Sequence, residues 1–290
     1  MTTTNTARYD PAARFEVKTF DVEYHHVDGE GLLARVYQPQ GAGPFPSLLD
    51  AHGGAWSRGD RTNDRQVNQA LAESGLLVAA IDYRLAPQHP YPAQMQDINY
   101  GIRWLKANAA RYNGSPKSLG AVGSSSGGHG VVLSGLRPWD PRYAALPLDG
   151  APQVDATLAY LVAMWPIVDP YARYEFAKAS NQERLVQASE GYFLSVEGMQ
   201  EGNPQRILER QEAVELPPLL VIQGSDDTNI PWQIPERFVG QYRQAGGDAQ
   251  FELFPGMPHA FAGSPGAESE RAIELIKRFV QRCLTAGAQG

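Results

Sequence analysis

The sequence predicts an α/β protein: a mostly parallel, eight-stranded sheet with helices on both faces and a helical insertion acting as a cap. Three observations lead there. Short apolar runs bounded by Gly, Pro and Asn recur along the chain. Segments with helical spacing of apolar residues lie between them, and strands alternating with helices of this length close most readily as a parallel sheet covered on both sides. One long segment, Tyr171–Glu215, breaks this rhythm while keeping a helical pattern, as an insertion between core elements does.

In order, Lys18–Val27 and Leu32–Gln38 alternate polar and apolar residues around Asp28-Gly29-Glu30-Gly31, the pattern of two antiparallel strands joined by a short turn. Phe45–Ala51 reads as a buried strand. Arg61–Ser74 carries Val67, Ala70 and Leu71 at helical spacing and ends at Gly75. Leu76–Ile81 is a strand, and Pro87, Pro90 and Pro92 mark a loop. Met95–Tyr112 places Met95, Ile98, Ile102 and Leu105 on one helical face and stops at Asn113-Gly114. Leu119–Gly123 and Gly127–Leu136 read as the next strand and helix, and Val154–Val168 as a further strand. After the insertion come strand Leu219–Gln223, helix Ile234–Gln244, strand Ala249–Phe254 and helix Glu268–Leu284. No repeat or linker splits the chain, so one domain spanning 1–290 is expected, with residues 1–17 as a second contributor to the cap.

Composition narrows the function classes. The chain has 290 residues, 42% hydrophobic and 20% charged, ordinary globular usage. A net charge of −7 opposes binding to phosphate backbones, so no nucleic-acid partner is expected. Cys283 is the only cysteine, which excludes an internal disulfide and favours a reducing compartment. The first residues show no basic cluster followed by an apolar stretch, and no run approaches the roughly 18 apolar residues of a membrane span. The expectation is a cytoplasmic protein without membrane association. A homodimer is compatible with the sequence, which does not specify oligomeric state.

Gly123-Ser124-Ser125-Ser126-Gly127 matches G-x-S-x-G. Alone the pattern is weak, since small residues fill many loops. Here an apolar strand precedes it and a small-residue helix follows, the strand–turn–helix context in which a nucleophilic serine sits on a sharp turn. Of the three serines only Ser125 has glycine two positions away on both sides. Gly123 and Gly127 leave room for the strained turn, and the Ser126 backbone N–H becomes an oxyanion donor. The helix dipole behind Ser125 favours negative charge there.

His52-Gly53-Gly54-Ala55-Trp56 follows the strand ending at Ala51 and resembles the H-G-G-G loop of lipases and esterases. Position by position, Gly54 and Ala55 would donate backbone N–H groups, Gly53 would shape the turn, and His52 would hold the loop rather than move protons. Ala55 stands where that pattern has a third glycine, and its methyl narrows the space for substrate.

Gly224-Ser225-Asp226-Asp227-Thr228-Asn229-Ile230-Pro231 follows another strand. It is similar to the Gly-x-x-Asp-x-x-Val/Ile-Pro segment of α/β-hydrolases, a register that selects Asp227 as the acid and leaves Asp226 as a turn residue. His259, in the Gly/Pro loop Pro255–Phe261 after the last strand, is the candidate base. His25, His26, His89 and His129 lie in a hairpin, a proline loop and the elbow helix. Three motifs thus agree on the order Ser, Asp, His. No H-E-x-x-H or Cys/His cluster suggests a metal.

Asp82-Tyr83-Arg84-Leu85-Ala86-Pro87-Gln88-His89-Pro90-Tyr91-Pro92-Ala93 resembles the D-Y-R-L-A-P-E-H-P-F-P-A stretch of hormone-sensitive-lipase-like esterases. The likeness runs from about Leu48 to Phe261. It implies the α/β-hydrolase fold with a cap, and cleavage of small to medium carboxylic esters without a cofactor. The elbow departs from the usual G-D-S-A-G-G, and the H-G-G-A-W loop is more similar to feruloyl/acetyl esterases and kynurenine formamidases. Asp82-Tyr83-Arg84 reads as a buried structural group. Trp56, Trp165, Tyr192, Phe193, Trp232 and Met257 are candidate pocket residues, although aromatics more often fill cores. The alternatives are an amidase or formamidase with the same three residues, separated by turnover of anilides or formamides, and a non-catalytic small-molecule receptor, marked by binding without turnover.

Overall fold

The structure, a computed structural model, describes residues 9–287. Strands β1 (Val17–Val27) and β2 (Glu30–Pro39) form an antiparallel hairpin about Asp28 and Gly29, both at positive φ. Then follow β3 (Phe45–Ala51), β4 (Leu77–Ile81), β5 (Gly114–Ser124), β6 (Leu161–Met164), β7 (Leu219–Gly224) and β8 (Ala249–Phe254). Among the described residues these eight strands form one sheet in the order β1-β2-β4-β3-β5-β6-β7-β8. From β4 to β8 every neighbouring pair is parallel. Strands β3, β4 and β7 are buried at every residue because helices cover both faces, which is why they read as continuous apolar runs.

Helices α1 (Arg65–Glu73) and α9 (Ala267–Gly287) pack Val67, Leu71, Ile276 and Phe279 on one face. Helices α2 (Ala93–Asn108), α3 (Ser126–Leu136) and α8 (Gln233–Gln244) pack Ile98, Ile102, Val131 and Phe238 on the other. Ala51, Ser124, Met164, Gly224 and Phe254 end their strands at the same edge, so the loops that follow converge there. That edge is where open parallel sheets bind ligands.

Between β6 and β7 stand four short helices: α4 (Pro170–Ala179), α5 (Glu183–Phe193), α6 (Val196–Glu201) and α7 (Pro204–Glu209). Side-chain caps define the starts of α4, α6 and α7: Asp169, Ser195 and Asn203 accept from the N–H groups of Ala172, Gly198 and Arg206 at 3.0–3.1 Å. These helices are the rhythm-breaking insertion, which occupies 170–209 rather than running to Glu215.

Three expectations need correction. Of Val154–Val168 only Leu161–Met164 is strand. Asp155 closes a turn on Thr157, and Trp165 turns to positive φ, so the apolar run outlasts the ladder. The helix expected from Arg61 begins at Arg65, because Asp60 draws Thr62 into a turn at 2.7 Å. Residues 1–17 were expected to contribute to the cap. Residues 1–8 lie outside the described residues, and 9–17 run to the opposite end of the sheet. There Tyr9 bonds Ser74 at 2.8 Å and Phe15 packs on Phe45. No helix among the described residues is long and apolar enough to cross a membrane.

Candidate active site

The turn from β5 to α3 puts Ser125 at φ 51°, ψ −114°, a conformation side chains rarely adopt. Tight packing enforces it. A Cβ on Gly127 would stand 1.9 Å from the Ala51 carbonyl oxygen, and one on Gly123 would stand 2.6 Å from the Gly127 backbone. The Ser125 N–H donates to Met164 (2.9 Å) and its carbonyl accepts from Ile167 (3.2 Å), which ties the turn to the end of β6.

His259 Nε2 lies 3.0 Å from Ser125 Oγ, and its Nδ1 lies 2.7 Å from Asp227 Oδ2. An ionised carboxylate only accepts, so Nδ1–H is the donor and Nε2 is left to accept the serine hydroxyl. Asp227 is gripped on both oxygens. Oδ1 accepts the Asn229 and Ile230 N–H groups, each at 2.8 Å, and Oδ2 accepts Gln223 Nε2 at 2.8 Å. Asp226 is exposed and only shapes its turn, with its N–H on the Met257 carbonyl. Gln223 escaped sequence reasoning, although a polar residue closing an apolar strand was its signal.

The loop His52–Trp56 packs against the elbow: a Cβ on Gly53 would lie 3.2 Å from that of Ser125. Gly54, Ala55 and Trp56 all have positive φ. Among the described residues no backbone carbonyl accepts from the Gly54, Ala55 or Ser126 N–H outside regular structure. His52 is buried, stacks on Tyr83 with ring centroids 4.2 Å apart, and places Nδ1 2.7 Å from the Gly53 carbonyl. Burial lowers its pKa, which suits a brace. The Tyr83 hydroxyl also donates to the His52 carbonyl. In the same motif, Arg84 pairs with Asp97 at 2.8 Å and Asp82 with Arg61 at 2.8 Å.

Two more supports were not visible in the sequence. Ser124 Oγ donates to Asp64 at 2.7 Å, and Asn68 donates to Asp50 at 2.6 Å. Both carboxyls are buried close together. Burial pushes Asp50 well above the usual carboxylate range and Asp64 up to about 6. Second, His129 on α3 accepts from Trp56 Nε1 (3.2 Å) and donates to the Gly202 carbonyl (2.7 Å), joining elbow helix, loop and insertion. Burial pushes its pKa down to about 4.

The expected pocket residues divide. Trp56 and Tyr192 are fully buried, and Phe193 closes on both; they form a core cluster under the insertion and present no surface to a ligand. Trp165 is buried with its ring edge-on to His259, centroids 6.3 Å apart. Only Trp232 and Met257 are partly exposed. A cleft of about 300 Å³ lies elsewhere, between Ala55, Ser57 and Arg58 of the loop, Ala86 and Pro87, and Arg184, Leu185, Gln187, Ala188 and Gly191 of α5. Among the described residues no group of His, Cys, Asp or Glu is arranged to hold a metal ion.

Residues 35–241 match the family BD-FAE, a span that includes Ser125 and Asp227 and stops before His259. The chain is 30% identical over 261 residues to Esterase LipC of Mycobacterium tuberculosis, covering 85% of this chain and 60% of the relative. It is 27% identical to the probable carboxylic ester hydrolase LipM of the same organism, covering 82% and 54%. The chain therefore spans less than two thirds of the length of these relatives. The thermophilic carboxylesterase EstE1 from a metagenomic library superposes with a TM-score of 0.75 at 23% identity, covering 97% of this chain and 92% of that one. A hyperthermophilic esterase of Pyrobaculum calidifontis gives 0.73 at 22% identity, covering 92% and 85%. With the sheet order above, these likenesses show the α/β-hydrolase fold.

Proposed function

Because the chain belongs to the BD-FAE family, we propose that it is a serine hydrolase cleaving carboxylic esters of small to medium size through an acyl-enzyme on Ser125. The observation that carries this reading is the continuous path from Ser125 Oγ through His259 (3.0 Å) to Asp227 (2.7 Å), set on a strained turn facing a loop whose Gly54 and Ala55 N–H groups meet no backbone acceptor among the described residues. The names of the relatives, esterase and carboxylic ester hydrolase, point the same way.

In this mechanism His259 removes the Ser125 proton as Oγ attacks the ester carbonyl. The N–H groups of Gly54, Ala55 and Ser126 hold the oxyanion, each worth about 10²–10³ in rate. His259 then protonates the departing alcohol. Water, deprotonated by the same imidazole, attacks the acyl-enzyme and releases the acid and free Ser125. Asp227 fixes the tautomer and stabilises the imidazolium. The reaction needs no metal or cofactor. Helices α4–α7 roof the site as a cap on one catalytic domain, and the cleft between Ala55 and α5 receives the body of the substrate.

The test is hydrolysis of p-nitrophenyl acetate by wild type and Ser125→Ala, with paraoxon labelling followed by mass spectrometry. The expected result is a loss of about 10⁴-fold or more in the variant and phosphorylation of wild type alone. Equal activity in both proteins would move the nucleophile elsewhere. Turnover of formamides or anilides with inert esters would make the chain an amidase on the same residues.

A further inference from the structure

Arg173, on cap helix α4, is fully buried, yet among the described residues every acceptor on its guanidinium is neutral. Asn229 Oδ1 takes Nε at 3.1 Å and one terminal nitrogen at 2.8 Å. The other terminal nitrogen reaches Ser189 Oγ at 3.1 Å and the Leu185 carbonyl at 3.4 Å, both on α5. The Trp56 ring covers it at 5.8 Å. Among the described residues no carboxylate forms an ion pair with it. A buried charge without a counter-charge is strongly unfavourable, so the field that offsets it must come from one layer away.

That layer holds Asp227. Asn229 is gripped from two sides: its side-chain oxygen by Arg173, its backbone N–H by Asp227 Oδ1 at 2.8 Å. Burial pulls the guanidinium down to about 10, still charged at neutral pH, and the Asp227 charge opposes that fall. Two neighbouring carboxylates are engaged elsewhere. Asp169, which caps α4, binds Asn203 and Arg237, while Glu190 takes the Tyr174 hydroxyl. His259 itself faces Asp227, Ser125 and the Trp165 ring.

We propose that Arg173 is a positioning residue for the reaction: through Asn229 it supplies the buried counter-charge of Asp227 and couples cap docking to the working geometry of the Asp227–His259 pair. This rests on the reading of Ser125, His259 and Asp227 given above. The consequence is electrostatic. The guanidinium and Asp227 hold the same Asn229 from two sides, so removing the Arg173 charge, or offsetting it at Asn229, changes the field in which the Asp227–His259 pair works.

The experiment is the pH profile of kcat/KM for p-nitrophenyl acetate in wild type, Arg173→Lys, Arg173→Met and Asn229→Asp, with Tm measured alongside. Asn229→Asp offsets the cation locally while preserving the cap contact, so it reports even if Arg173→Met folds poorly. Arg173→Met and Asn229→Asp should each move the acid limb to higher pH by about half a unit or more, while Arg173→Lys leaves it near wild type. A limb that stays in place in both charge-altering variants, with activity and Tm merely scaled down, overturns the proposal and leaves Arg173 as a cap anchor only. Ser125→Ala is the control. If it is inactive, an unmoved limb sinks Arg173 alone; if it is active, the triad reading and this proposal fall together.

Discussion

The Trp56 indole lies flat on the Tyr192 ring, planes 3° apart and centroids 5.0 Å apart, so the loop beside Ser125 and helix α5 of the insertion share one aromatic stack. The Tyr192 hydroxyl in this stack is buried and has no hydrogen-bond partner among the described residues. Tyr192→Phe should therefore raise stability by about 1 kcal/mol, since an unsatisfied buried hydroxyl costs about that much or more. Urea denaturation measures it, and a loss of stability would mean the hydroxyl has a partner in solution.

Asp227 and its neighbour Asp226 can be separated by equivalent substitutions. Asp227→Asn should lower kcat by about 10⁴-fold while leaving the fold intact, because an amide sets the wrong imidazole tautomer. Asp226→Asn should stay within about twofold of wild type. Steady-state kinetics with circular dichroism on both variants decide between the two residues.

Ala55 occupies a left-handed conformation at φ 52°. Ala55→Gly should be neutral to stabilising, by up to about 1 kcal/mol, because glycine carries no Cβ penalty there. It also opens the cleft, so bulkier esters should gain in kcat/KM relative to acetate. A thermal melt and a two-substrate comparison test both halves of this expectation.

Ala188 faces the cleft from α5. If that cleft receives the substrate body, Ala188→Trp should raise KM for long-chain or bulky esters by about tenfold, roughly 1.4 kcal/mol of binding, and spare acetate. Uniform effects on all esters would place the substrate elsewhere.

Asp64 gives a pH signature with a definite sign. Its folded-state pKa, about 6, lies above the ordinary carboxylate value of 3.8. The folded form therefore holds a proton that the unfolded chain releases between those values. The Asp64 contribution to stability is fully present below about 4 and is lost as pH rises through 6, and its buried neighbour Asp50, also raised, acts in the same sense. His129 works in the opposite sense: lowered to about 4 from 6.5, it withdraws stability as pH falls through that window. Asp64→Asn should remove the Asp64 share and relieve Asp50 of a neighbouring charge while leaving His129 untouched, so the Tm difference between variant and wild type should widen in the variant's favour from pH 4 to pH 8. A flat difference would mean Asp64 ionises freely.

What could be read from the sequence was what is local. Ser125 was singled out by glycines two residues away, whose closeness to the Ala51 and Gly127 backbones is a property of the turn itself. Asp227 followed from its register before Pro231, and His259 from its place in a Gly/Pro loop after an apolar strand. Arg173 gave no signal: it reads as a solvated arginine in a polar helix until the cap docks and buries it. Trp56, Tyr192 and Phe193 proved to be core for a related reason. Periodicity says that Trp56 and Tyr192 are apolar, not whether they face a ligand or each other. The strand β6 was overextended because the apolar pattern through Val154–Val168 outlives the hydrogen-bond ladder.

The left-handed backbone of Ser125 has an evolutionary corollary. At φ 51° a glycine would be more comfortable than a serine, so the hydroxyl is retained against the preference of the turn. Selection for stability alone would replace it; with Ser125 as the nucleophile proposed above, selection for turnover opposes that drift. In a descendant of this chain released from its reaction, position 125 is where change should be favoured first, and that descendant would be both inert and harder to unfold.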